Sequence, residues 1–174
     1  NSNNLISVSS NIAGTTYNWT ATATSGITGY TPSGTTNAIP STVLTNSTNT
    51  SGTVTFIVTP SNNGCNGTPI SFVVTVTPKP LIPNQAITSC SGTSFSVPLN
   101  NAPPSLILPA ATTFTWTVTN PNGISGATNQ PTGVNAISQT LNNSTNQPID
   151  VTYNVTASSG TSPNNCTTNF TVIV

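Results

Sequence analysis

Apolar and polar residues alternate along most of this chain. Tyr17, Trp19 and Ala21 are separated by Asn18 and Thr20, and Phe114, Trp116 and Val118 by Thr115 and Thr117. The same two-residue period runs through Val54, Phe56 and Val58, and through Ile70, Phe72, Val74 and Val76. It returns in Val151, Tyr153 and Val155, and in Phe170, Val172 and Val174. Successive side chains of a strand point to opposite faces, so each run predicts a half-buried strand. Thr and β-branched residues fill these runs, and turn residues lie between them. No segment carries a helical period. The expected class is all-β, with Tyr17, Trp19, Phe56, Phe72, Phe114, Trp116, Tyr153 and Phe170 as core aromatics.

The strand pattern occurs twice. Trp19 matches Trp116, Gly26-Ile27-Thr28-Gly29 matches Gly123-Ile124-Ser125-Gly126, and Leu44 to Asn49 matches Leu141 to Asn146, each at an offset of 97 residues. A period of about 100 residues with about seven short strands is the size of an immunoglobulin-like sandwich. Two tandem antiparallel β-sandwiches are therefore expected. Between them, residues 77 to 83 read Thr-Pro-Lys-Pro-Leu-Ile-Pro. Such a proline density predicts an extended, semi-rigid spacer. The expected division is a first domain over 1–78, a linker over 79–83 and a second domain over 84–174.

Composition narrows the function. Among 174 residues there is one base, Lys79, one acid, Asp150, and neither histidine nor methionine. Ordinary domains are about a quarter charged. Asn, Thr and Ser do the solvating here. The chain lacks the basic patch that phosphates need and any basic amphipathic stretch, so nucleic acid and membrane insertion are not expected. Without histidine or a carboxylate pair, the usual acid, base and nucleophile arrangements cannot be built, so no enzyme is expected. Calcium needs several carboxylates and zinc several Cys or His ligands, so no metal or other cofactor is expected. An isopeptide staple between Lys79 and Asn beside Asp150 is disfavoured because the two charges fall at opposite ends of the second sandwich. Thr113, Thr115, Thr117 and Thr119 form an outward row; Thr is simply the best strand former open to a surface that avoids charge.

Three cysteines remain. Cys90 lies at the first predicted strand of the second domain and Cys166 just before its last. In a sandwich with an odd strand count those positions fall at one end, so a Cys90–Cys166 disulfide is expected, and with it an oxidising compartment. Cys65 occupies the equivalent of Cys166 in the first domain. Its expected partner is a cysteine upstream of Asn1 or replacing it, which marks the chain as a window on a longer array; the alternative is a free thiol. Leu106, Ile107 and Leu108, in a Pro-rich insertion of the second copy, are read either as an ordinary surface insertion or strand switch between the two sheets, or as a contact patch for a neighbouring domain or chain.

These motifs together resemble a known family. Gly-Thr-Thr-Tyr-Asn-Trp-Thr, Ile-Thr-Gly, Leu-Thr-Asn-Ser-Thr-Asn-Thr, Gly-Cys-Asn-Gly-Thr-Pro and Val-Thr-Val-Thr-Pro-Lys-Pro are similar to the PKD-like repeats of giant surface proteins in Bacteroidota. The resemblance covers both copies. It implies tandem Ig-like sandwiches, export by the type IX route, a location on the bacterial cell surface, and roles in adhesins, including those of gliding motility. Asn1 stands where the pattern has cysteine. The expected function is a non-catalytic stalk repeat that holds a binding tip away from the cell, partnered by neighbouring repeats. The alternatives are a subunit of an extracellular filament, with copies meeting laterally or at strand edges, and an accessory carbohydrate-binding module of a secreted enzyme. The last requires an exposed aromatic row, which the sequence lacks.

Overall fold

A computed structural model describes residues 6–40, 42–99, 107–161 and 165–174. The described residues contain strands and no helix. Two compact units divide the chain, Asn1–Thr77 and Pro78–Val174.

The first unit holds β1 (Ile6–Ser7), β2 (Thr16–Ala23), β3 (Ile27–Thr28), β4 (Ser33–Gly34), β5 (Ala38–Ile39), β6 (Thr45–Asn46), β7 (Gly52–Asn62), β8 (Cys65–Asn66) and β9 (Ile70–Val76). β7 is the centre of the main sheet. It runs antiparallel to β2 on one side and to β8 and β9 on the other, and β4 lies outside β2. Alternation did its work: Tyr17, Trp19, Ala21, Val54, Phe56 and Val58 are buried on one face, with Thr and Asn on the other. A short β1–β5 ladder adds Ile39 and Ile6 to the same core. Phe56 stacks on the half-buried Phe72 at 5.1 Å between ring centroids and meets Trp19 at 6.1 Å.

The second unit holds β10 (Gln85–Ala86), β11 (Ser94–Pro98), β12 (Thr113–Val118), β13 (Ile124–Ser125), β14 (Gln130–Val134), β15 (Ala136–Thr140), β16 (Asn142–Asn143), β17 (Thr152–Ser159) and β18 (Cys166–Ile173). Its five-stranded sheet has the order β10-β18-β17-β12-β14. The β11–β15 ladder supplies Phe95, Val97 and Ile137 to a core shared with Phe114, Trp116, Tyr153, Val155, Phe170 and Val172. Phe95 and Trp116 both meet Tyr153 edge-on, and Phe114 meets Phe170 likewise, an arrangement that aromatic quadrupoles favour.

The duplicated wording encodes a duplicated corner. Ile27 pairs with Asn46 in the first unit and Ile124 with Asn143 in the second. The Asn46 side chain accepts the Thr48 N–H at 2.9 Å and donates to the Thr50 carbonyl at 2.8 Å. Asn143 does the same with Thr145 and Gln147. Ser47 and Ser144 each donate to the carbonyl of the first glycine of the motif, Gly26 and Gly123. The second glycine of each motif, Gly29 at φ 89° and Gly126 at φ 97°, is in the left-handed region. A Cβ on either would collide with a backbone carbonyl oxygen, of Val43 or Thr140. Only glycine fits both the dihedral and the space.

The segment expected to be an extended, semi-rigid linker, 79–83, groups with the second unit. Pro78, Pro80 and Ile82 are buried while Lys79 and Leu81 are exposed, so the stretch alternates as a strand does. Proline cannot donate to a ladder, and among the described residues the segment forms one backbone bridge, Leu81 to Ile107, with N···O distances of 2.8 and 3.1 Å. Ile82 joins the core, a burial that contributes about 1.5–3 kcal/mol. The chain divides between Thr77 and Pro78.

Candidate functional site

The feature that organises the second unit is the path of the chain through it. Pro78 enters beside the end of β17: the Ser159 hydroxyl, fully buried, donates to the Pro78 carbonyl at 2.7 Å. Ser159 pairs with Cys166, the first residue of β18. The last residue, Val174, exchanges two backbone hydrogen bonds with Val151 at the opposite end of the sheet. The chain thus enters at one end of the sheet and leaves at the other, about 25 Å apart for an eight-residue strand.

Next to this path lies a parallel pair. Gln85 and Ala86 of β10 lie beside Val172 and Ile173 of β18. The Ile87 N–H donates to the Ile173 carbonyl, and the Thr171 N–H to the Asn84 side-chain oxygen, both at 2.9 Å. Sequence reasoning missed β10, which is too short and too polar to show alternation. The signal available was Pro78-Pro80-Ile82, whose two-residue spacing marks an extended segment with one face inward.

β10 also overturns the expected disulfide. Cys90 follows β10, which runs toward the Val174 end of the sheet. There the Gly92 N–H bonds the Leu141 carbonyl and the Asn143 N–H bonds the Ser91 hydroxyl. Cys166 begins β18 at the other end. A strand length separates the two cysteines, against the roughly 7 Å between Cα atoms that a disulfide tolerates. The strand count that placed them together began one strand too late. Cys90 and Cys65 are exposed free thiols. Asn1, the position expected to hold the partner of Cys65, is outside the described residues.

Of the two readings of the Pro-rich insertion, the contact patch is not favoured by the residues that are described. Leu106 is outside the described residues. Ile107 forms the bridge to Leu81, and Leu108 is buried in the core, so these two do not make an exposed contact surface. Of the core aromatics, Tyr17, Trp19, Phe56, Phe114, Trp116, Tyr153 and Phe170 are buried and Phe72 is half-buried. Neither tryptophan offers a stacking face. The Trp116 indole N–H donates to the Thr128 carbonyl at 2.9 Å, while that of Trp19 is buried against Gly34 without a partner.

The outer face of the second sheet forms a shallow open groove of about 710 Å³. Cross-strand rows line it: Thr115, Thr156 and Asn169 in one, Thr117, Asn154 and Thr171 in the next. These are neutral amides and hydroxyls, bonded in part to one another, as Thr156 to Asn169 at 3.0 Å. The face can exchange hydrogen bonds with water but offers no general base, nucleophile or charge. Lys79 lies one residue from Pro78 and Asp150 two residues from the start of β17, so the two charges stand at opposite ends of the unit. Among the described residues no three His, Cys, Asp or Glu side chains cluster. No described helix is long and apolar enough to cross a membrane.

Two tandem sandwiches of this construction are immunoglobulin-like. The chain belongs to the PKD-like domain family, whose model matches it twice, over residues 2–80 and 87–174. No curated protein and no solved structure matches the chain.

Proposed function

We propose that the chain is a load-bearing spacer: two PKD-like repeats of an extracellular stalk that holds a binding tip away from a bacterial cell surface, as in an adhesin. The observation that carries this reading is the path through the second unit, entering at Pro78 and leaving at Val174 at opposite ends of the sheet. A module threaded in this way adds its own length to the polypeptide and receives tension along its strands.

The β10–β18 pair suits that load. The two strands are parallel neighbours, one near each end of the unit's sequence. Pulling the ends apart drags them in opposite directions along their own axes. Their hydrogen bonds are then loaded together instead of opening one after another. The uncharged surface fits the same role, since neighbouring stalks carry no field with which to repel each other.

The test is to stretch the chain by its two ends, native and with Ile87→Pro, which removes the N–H that bonds Ile173. The proposal expects the second unit to unfold at a lower force in the variant, with the first unit unchanged. Equal forces for the second unit would mean that the parallel pair carries no load.

A further inference from the structure

Asparagine is followed by glycine at three places, Asn63-Gly64, Asn66-Gly67 and Asn122-Gly123. The pair is labile because glycine has no Cβ to keep its backbone nitrogen away from the preceding side-chain carbonyl carbon. All three asparagines are exposed, but the fold holds their glycines differently. Asn66 pairs with Ser61 in β8, and the Gly67 N–H donates to the Pro60 carbonyl at 2.8 Å. A Cβ on Gly67 would lie 3.0 Å from the Pro60 ring. The nitrogen that would attack is tied down. Asn122-Gly123 sits in the tight turn ahead of β13, closed by the Ile124 N–H on the Pro121 carbonyl at 3.0 Å. The Gly123 carbonyl accepts the Ser144 N–H at 2.9 Å and its hydroxyl at 3.0 Å, and a Cβ there would lie 2.6 Å from the Thr145 methyl. This glycine is clamped by the corner.

Asn63-Gly64 is the loop of the β7–β8 hairpin, where Asn62 pairs with Cys65 and Ser61 with Asn66. φ is 48° at Asn63 and 81° at Gly64, the positive values that a type I′ turn requires at both central residues. Nothing lies within 4 Å of where a Gly64 Cβ would stand, and among the described residues the Gly64 N–H donates no backbone hydrogen bond. Rotating the Asn63–Gly64 peptide alone converts type I′ to type II′ and keeps φ positive at Asn63. That rotation carries the Gly64 nitrogen to the side of the Asn63 Cβ, where a ring through Cγ can close. The reactive geometry is one local flip away, in open solvent, with the flanking ladder undisturbed.

We propose that Asn63 is a site of spontaneous deamidation, at which the hairpin tip acquires a negative charge with age while the fold protects Asn66 and Asn122. The Gly64 nitrogen attacks the Asn63 Cγ. The N–Cγ bond forms, the nitrogen gives its proton to water, and the Cγ–Nδ2 bond breaks with Nδ2 leaving as ammonia. Water then opens the succinimide. Addition at Cγ gives aspartate, and addition at the backbone carbonyl gives isoaspartate, whose main chain runs through the β-carbon. Water is the only co-reactant and nothing is oxidised or reduced. The isoaspartyl form lengthens the backbone of a two-residue loop, which the type I′ turn does not accommodate, so Cys65 and Asn66 lose their register with Asn62 and Ser61. The charge matters more here than on an ordinary surface, because the chain has one Lys, one Asp and a formal net charge of zero.

The test is to incubate the full chain at mildly alkaline pH, folded and in urea, and to follow it by isoelectric focusing and peptide mass spectrometry. Each conversion replaces an amide nitrogen by oxygen, read as a mass gain, and adds an acidic band. In the folded chain Asn63 should convert about tenfold faster than Asn66 or Asn122, or more. In urea the three should convert at comparable rates, since they share one dipeptide. Asn63→Gly suits the positive φ of the turn and removes the reacting amide, so the early acidic band should vanish. Comparable rates at all three sites of the folded chain, or conversion first at Asn66 or Asn122, overturn the proposal. So does a folded chain that keeps its Asn63 amide while urea-unfolded chain loses it, or an early acidic band that survives Asn63→Gly.

Discussion

The Ser159 hydroxyl lies 2.7 Å from the Pro78 carbonyl oxygen, and both residues are fully buried. This bond fixes where the second unit begins. It satisfies the buried Pro78 carbonyl, which the bond's loss would leave without a donor. Ser159→Ala removes the donor and leaves the acceptor buried. The expected cost is about 1–3 kcal/mol for the second unit alone, measured by urea unfolding. A variant as stable as the native chain would mean that Pro78 is not anchored there.

The repeated corners make a matched pair of predictions. Gly29→Ala and Gly126→Ala each force a side chain into the left-handed region and against a carbonyl oxygen. Each should destabilise its own unit by at least about 2 kcal/mol. Gly64→Ala shares the dihedral, at φ 81°, but meets nothing nearby. It should cost only about 1–2 kcal/mol. Equal losses at Gly64 and Gly29 would show that the collision with Val43 contributes nothing.

Reductant should not change the melting temperature, because Cys90 and Cys166 stand at opposite ends of the second sheet. Cys65 and Cys90, both exposed, should react with an alkylating reagent in the folded chain, read by intact mass. A large loss of stability on adding reductant would contradict the placement of Cys90.

Burial pushes the Tyr153 phenol up from 10.0 to about 12. Its hydroxyl donates to the Gln139 side-chain oxygen at 2.8 Å. A raised value in the folded state means that the unfolded chain releases this proton first. The associated stability is complete below pH 10 and is lost as pH rises toward 12. Unfolding midpoints across that range should fall for the native chain and fall less for Tyr153→Phe. Parallel curves would remove Tyr153 as the cause.

Much of the fold was legible because one signal repeats. Tyr17-Trp19-Ala21 and Tyr153-Val155 alternate over enough residues to fix both strand and face, and Gly-Ile-x-Gly with its Asn partner marks the same corner twice. The junction was misread because proline carries two meanings. It favours free extended linkers, and it also suits a buried segment that makes almost no ladder bonds. Only the register of Pro78, Pro80 and Ile82 distinguishes these. Gln85 and Ala86 gave no signal, since two residues cannot show a period, and the position of Cys90 depended on them.

The most direct test of the spacer account is to pull the native chain by its ends and record its unfolding events. The account predicts two separate events. Their contour-length gains should be about 280 Å for the first unit and about 350 Å for the second, each less its folded length, at about 3.6 Å per residue. The second unit, held by the β10–β18 pair, should yield at the higher force. A single cooperative event, or a second unit that yields before the first, would contradict it.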